Sequence, residues 1–175
     1  KLFKVCALLM LAVMSCLLFS GCGGQSEQKK FVITYLPNES TDKNADARKG
    51  MAGDLSKVLG MEVTELVSND YNAVIEAMRT GKADMAYFGP LSFCLAYERA
   101  GAEPIGMIAK DKDKKNATYK SVLVTSSKNT DINSIQDIKG KTMAFVDPNS
   151  TSGNLIPSAA IMKAFPGEKL SMDDL

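Results

Sequence analysis

The chain has 175 residues, 45% apolar and 23% charged, which fits a globular domain of ordinary size and argues against a fibrous or disordered one. Its 21 basic and 20 acidic residues nearly cancel, so no basic field calls for a nucleic-acid partner. It has no histidine, and beyond residue 22 its one cysteine is Cys94, which excludes an internal disulfide, a zinc site, a Ser-His-Asp triad and a Cys-His dyad in the folded part.

Residues 1–21 carry Lys1 and Lys4, no acid, and an apolar run from Val5 to Phe19, the pattern of an export signal and too short for a stable membrane-spanning helix. The run ends at Phe19-Ser20-Gly21-Cys22, which resembles a lipoprotein cleavage box with Phe19 in the usual Leu position. Cys22 is then the expected lipidated first residue, and residues 22–30 a flexible tether. A plain membrane anchor, or a signal cut elsewhere, is the alternative. Losing residues 1–21 removes two basic residues and no acid, leaving a net charge of −1.

Phe31 to Leu36 reads as a first strand, with Pro37 to Ser40 leaving its carboxyl end. Ligands bind at that end of an open α/β sheet, so Tyr35, Asn38, Glu39 and Ser40 either line a site or form a solvated loop. Thr41 or Asp42 opens a helix to about Leu59, with Met51, Leu55, Val58 and Leu59 as its core stripe and Gly60 as its stop. Glu62 to Val67 reads as the second strand. Ser68-Asn69-Asp70 then opens a helix that turns Val74, Ile75 and Met78 inward and ends at Gly81. Ala83 to Phe88 is the third strand, Gly89-Pro90 leads into a helix from Leu91 to Arg99, and Ile105 to Ala109 is the fourth strand. Strands alternating with helices on short connections predict an α/β fold with a mainly parallel sheet.

The charged run Lys110 to Lys115 reads as a solvated boundary, which gives a first lobe over 31–115 and the start of a second over 116–175. In the second, Tyr119 to Thr125 and Lys141 to Val146 are β-prone, Ile132 to Ile138 is a short helical turn, and a helix begins near Thr151. The chain starts at Lys1 rather than Met and stops at Asp173-Asp174-Leu175, where a further element is expected, so both ends read as truncated.

The stretch Asp147-Pro148-Asn149-Ser150-Thr151-Ser152-Gly153 lies between an apolar run and a helical one. Three consecutive hydroxyls at a helix start can converge with the helix's unpaired N–H groups on one oxyanion, and Gly153 allows close backbone approach. A single hydroxyl serving as an ordinary helix cap would bind nothing, and that reading also stands.

DPNSTSG followed by Leu155-Ile156-Pro157 resembles the signature of phosphonate- and phosphate-type substrate-binding proteins of bacterial ABC importers. Asn69-Asp70-Tyr71, Ala86-Tyr87-Phe88-Gly89-Pro90 and Tyr119-Lys120-Ser121-Val122-Leu123 resemble that family in the same order, so the similarity spans about residues 31–165. The resemblance implies a periplasmic-binding-protein-like (type II) fold, two lobes with parallel-rich sheets, the second incomplete here. It implies a binding protein and not an enzyme, anchored by lipid at the outer face of the cell membrane, without cofactor or metal, that passes its ligand to an ABC permease. It assigns ligand contacts to Ser150, Thr151, Ser152 and Gly153, with the hydroxyls of Tyr71 and Tyr119 and, less directly, Tyr87.

Phosphate, phosphite, methylphosphonate and aminoethylphosphonate all remain compatible with these residues. A sensor domain for the same anion would carry the same site. A phosphoryl-transfer enzyme fits less well, because the chain has no GxxxxGK[ST] loop and no His base, and Asp70, Asp84 and Asp147 lack metal-ligand spacing.

Overall fold

The structure is a computed structural model and describes residues 29–168. The leader, the tether up to Gln28, Cys22 and the end of the chain from Lys169 lie outside the described residues.

Strand β1 (Phe31–Tyr35) lies between β2 (Val63–Leu66) and β3 (Met85–Tyr87), and both neighbours run parallel to it. A central parallel strand is covered on both faces, and Ile33 and Thr34 are indeed 1% and 0% exposed. Burying Thr34 is tolerated because its hydroxyl donates to the Leu66 carbonyl at 2.9 Å and lies 3.3 Å from Ser68 Oγ. Asp84 sets the register of β3. Its N–H donates to the Val32 carbonyl and its carboxylate accepts from the Val32 N–H, both at 2.8 Å.

Helix α1 (Ala45–Leu59) follows a tight turn at Asp42–Asn44 and stops at Gly60, whose φ of 65° suits a residue without a side chain. Of the stripe expected to be core, Leu55 is half-buried, but Met51, Val58 and Leu59 are 41%, 82% and 39% exposed. The cause is the narrowness of the three-stranded sheet, since α1 packs chiefly against its edge strand β2. What fixes α1 instead is Arg48, which reaches the Glu65 carboxylate of β2 and lies 5.8 Å from the centre of the Tyr35 ring.

Helix α2 (Tyr71–Arg79) begins at Asp70, whose carboxylate accepts from the Ala73 N–H at 2.7 Å. Val74 and Ile75 are fully buried, and Met78 packs beside them as its spacing predicted. Helix α3 (Pro90–Ala100) starts with Pro90 at its first position and Ser92 closing a cap on Gly89. The two helices meet where Ile75, Ala96 and Ala102 are buried with Met78, Phe88 and Leu95.

Three β-prone runs do not form strands. Ile105 to Ala109, Tyr119 to Thr125 and Lys141 to Val146 have no ladder partners among the described residues. Ile105, Ile108, Val122 and Val124 are accordingly 83%, 69%, 67% and 87% exposed. Branched side chains favour a strand only where a neighbour pairs with it and packs against it, and these runs lack that neighbour here. The short helical turn is present at Ile135–Ile138, opened by Ser134 and by Asp137. Backbone and side-chain donors of Asn133 and Ser134 hold the exposed Asp137 carboxyl below the usual carboxylate range. Helix α4 (Ile156–Ala164) completes the described elements.

Candidate functional site

In a parallel sheet the loops at the carboxyl ends of the strands and the helix N-termini that follow them face the same way, so unpaired N–H groups and positive dipole ends gather there. The loop after β1, the N-terminus of α2 at Tyr71 and the N-terminus of α3 at Pro90 share this end.

The Asp147 to Gly153 stretch docks against it. Asp147 forms the turn, its carboxylate accepting from the Asn149 N–H at 2.7 Å and its carbonyl from the Ser150 N–H at 2.9 Å. The chain then makes one wide turn, Thr151–Leu155, in which the Leu155 N–H reaches five residues back to the Ser150 carbonyl. Ser150, 5% exposed, caps the turn by accepting from the Gly153 N–H at 3.0 Å. Gly153 is required by close approach rather than by φ. A Cβ there would stand 2.5 Å from the Val146 Cβ and 2.8 Å from Ser150 Oγ.

Thr151 crosses to the other face of the site. Its Oγ1 accepts from the Leu91 N–H at 2.8 Å, near the start of α3. The Ser152 carbonyl accepts from the Ser121 hydroxyl at 2.7 Å, which holds the Tyr119 segment alongside. Pro90, Tyr119, Ser121, Thr151, Ser152 and Ile156 enclose a cleft of about 260 Å³. No Lys or Arg lines it. Tyr119 is 59% exposed, and its hydroxyl comes within 3.9 Å of a Cβ built on Gly89.

Tyr71 is buried, and its hydroxyl donates to Asn38 Oδ1 at 3.0 Å. Burial pushes the Tyr71 pKa up, the Ser150 hydrogen bond offsets part of this, and the charges of Asp147, Tyr119 and Glu39 add to the rise. Tyr87, half-buried at the end of β3, is likewise raised, first by burial and then by Glu39 and Tyr119. Of the residues expected at the site, Thr151, Ser152 and Tyr119 share the cleft, whereas Tyr71, Ser150, Gly153 and Tyr87 are not among the residues that line it.

The arrangement differs in one respect from three hydroxyls all aimed at an empty centre. Ser150 Oγ and Thr151 Oγ1 each accept one backbone N–H, and each retains its own proton for donation. The site also uses groups that the motif did not flag as contacts, namely the Leu91 N–H and Ser121. Gly89-Pro90 at a strand-to-helix junction was the available signal for the first of these. Arg48 fixes the loop after β1, donating to the Glu39 and Thr41 carbonyls at 2.7 Å each. Among the described residues no group of three or more His, Cys, Asp and Glu gathers as a metal cage.

The profile of a family described as ABC transporter, phosphonate, periplasmic substrate-binding protein matches residues 33–170. The chain is 31% identical over 157 residues to the phosphate-import protein PhnD of Mycolicibacterium smegmatis, covering 84% of this chain and 49% of that one. It is also 31% identical over 145 residues to the phosphonates-binding periplasmic protein of Escherichia coli, covering 80% and 42% respectively. A crystal structure of the binding-protein component of an ABC phosphonate transporter from Pseudomonas aeruginosa superposes with a TM-score of 0.63 at 26% identity, over 77% of this chain and 45% of that one. The chain thus spans about half the length of the curated relatives it matches.

Proposed function

Because the chain belongs to the phosphonate-type periplasmic substrate-binding proteins of ABC transporters, we propose that it captures a phosphorus oxyanion outside the cytoplasm and delivers it to a membrane permease. The ligand is a phosphonate, phosphate or phosphite, and it sits between a first lobe over 31–115 and a second that begins at 116. Ser150, Thr151, Ser152 and Gly153 hold it, Tyr71 and Tyr119 close over it, and Tyr87 backs the wall. The protein works by binding and release, without chemistry on the ligand. A sensor of the same anion is the second reading, since the cleft would serve it equally.

The observation that carries the proposal is the bond from the Leu91 N–H to Thr151 Oγ1. It brings the start of α3, through Pro90, and the hydroxyls of Thr151 and Ser152 to one cleft. Hydrogen bonds to a charged acceptor are roughly twice as strong as neutral ones, so neutral donors can hold an anion without a paired cation. Calorimetry of the full-length chain with phosphate, phosphite and methylphosphonate at low and high salt tests this. The expected result is binding of at least one of them, with affinity changing no more than a few-fold between the two salts, because no Lys or Arg lines the cleft. A steep loss of affinity with salt would point to a cationic site elsewhere.

The leader pattern supports anchoring through an acylated Cys22, with residues 22–30 as the tether. The intact mass of membrane-extracted protein is expected to show a diacyl or triacyl modification on a chain beginning at Cys22. A mature N-terminus elsewhere, or an unmodified Cys22, would rule the anchor out.

A further inference from the structure

We infer that Gly89 is a positioning residue of the anion site: it has no side chain with which to cap α3, so the cap passes to Thr151, and this fixes the Thr151 hydroxyl at the cleft. This rests on the ligand class proposed above.

The residue that opens a helix ordinarily accepts, through a side-chain oxygen, the N–H of the second or third helical residue. Gly89 holds that place in α3, in extended backbone with φ −80° and ψ 171°. Neither angle demands glycine. Ser92, the third helical residue, supplies its half of a reciprocal cap, its hydroxyl oxygen accepting from the Gly89 N–H at 3.0 Å. Glycine cannot supply the other half. The N–H of Leu91, the second helical residue, goes instead to Thr151 Oγ1 at 2.8 Å. Thr151 thus does what an N-cap side chain would do, and it does so from the wide turn before α4.

The space around Gly89 agrees. A Cβ built there meets Thr151 Oγ1 at 3.6 Å, Ser92 Oγ at 3.8 Å and the Tyr119 hydroxyl at 3.9 Å. These are ordinary contacts, so a methyl group fits and glycine is not required for lack of room. A hydroxyl on that carbon is different. Turned toward α3 as a capping serine is, it would compete with Thr151 Oγ1 for the Leu91 N–H, and the bond that joins the two sides of the cleft would be lost. Thr151, Ser152 and Tyr119 line the cleft with Pro90. Accepting from Leu91 uses one lone pair of the Thr151 oxygen and leaves its proton for another partner. Gly89 thereby exchanges a local cap for a fixed hydroxyl at the site.

The test is a double-mutant cycle on the full-length chain, read by urea unfolding and by calorimetry with phosphate, phosphite and methylphosphonate. Gly89→Ser is expected to unfold at a urea concentration no lower than wild type, since serine is at least as good an N-cap as glycine, and yet to bind the anion about tenfold more weakly. Thr151→Val alone is expected to lower the unfolding midpoint, because it strands the Leu91 N–H. In the Gly89→Ser background the same change is expected to cost less than about half of that shift, the new hydroxyl having taken over the N–H. Gly89→Ala adds bulk without a cap, so there Thr151→Val keeps its full shift. Equal shifts in all three backgrounds, or undiminished affinity in Gly89→Ser, overturn the inference. An affinity loss in Gly89→Ala as large as in Gly89→Ser would make the effect steric and overturn it too. Should Gly89→Ser fail to fold, amide exchange at Leu91 decides: Thr151→Val is expected to speed it, and unchanged protection refutes the cap. The stability cycle needs no ligand, so failure of the wild type to bind any of the three anions refutes the ligand class, while the cap stands or falls on its own readout.

Discussion

Gly153→Ala is expected to destabilise the protein by about 1–3 kcal/mol and to weaken anion binding with it. The added methyl would stand 2.5 Å from the Val146 Cβ and 2.8 Å from Ser150 Oγ, closer than non-bonded atoms tolerate. Neither neighbour yields freely. Val146 is tied to Gly153 through its N–H and the Gly153 carbonyl at 3.1 Å, and Ser150 caps the turn on the Gly153 N–H. The turn must open, and Ser150 then leaves its cap. Urea unfolding of Gly153→Ala beside Gly106→Ala checks this. Gly106 has nothing within 4 Å of the added Cβ, so its substitution is expected to stay within about 0.5 kcal/mol of wild type. Equal stability of the two variants would show that the Val146 contact is not enforced in solution.

Thr151→Val is expected to lower affinity for the phosphorus oxyanion about ten- to a hundredfold, the equivalent of about 1.5–3 kcal/mol for a lost hydrogen bond to a charged acceptor. The isosteric swap removes two functions at once. The Leu91 N–H loses its acceptor at 2.8 Å, and the ligand loses a donor. Thr151→Ser keeps the hydroxyl and is expected to bind within a few-fold of wild type. Titration calorimetry of both variants separates the hydroxyl from the shape of the side chain. Equal losses in the two would mean that the methyl group, and not the hydroxyl, carries the effect.

Most of residues 31–100 could be read from local pattern because each signal there acts over a few residues. Asp70 caps its own helix, Pro90 begins one, and Gly60 stops one, so the βα units fall close to where they were expected, except that α1 starts at Ala45 after the tight turn at Asp42–Asn44. Burial was harder to read. Met51 and Val58 repeat at helical spacing, yet whether a stripe is covered depends on how wide the sheet beneath it is, which no local pattern encodes. The three β-prone runs after residue 104 failed for a related reason, since a strand exists only with a partner.

The site divides in the same way. Its hydroxyls and the close approach at Gly153 were visible as a motif, but the wide turn at Thr151–Leu155 has no sequence mark. The bond from Leu91 to Thr151 joins residues 60 positions apart, and Asn38 meets Tyr71 across 33. Such contacts follow from the parallel topology, which collects loop ends on one side of the sheet. Asn38 and Glu39 stood in the sequence as loop residues with two open readings, and only the fold brings them beside Tyr71.

The central claim, that the cleft between the α3 N-terminus and the Ser150–Gly153 turn holds a phosphorus oxyanion, is tested most directly by a crystal structure of the full-length chain with methylphosphonate. The account predicts one tetrahedral group within hydrogen-bonding distance of the Thr151 and Ser152 hydroxyls, with Tyr119 closed over it. Ligand density at another place, with Thr151 still bonded to Leu91 and the cleft holding only water, would contradict it.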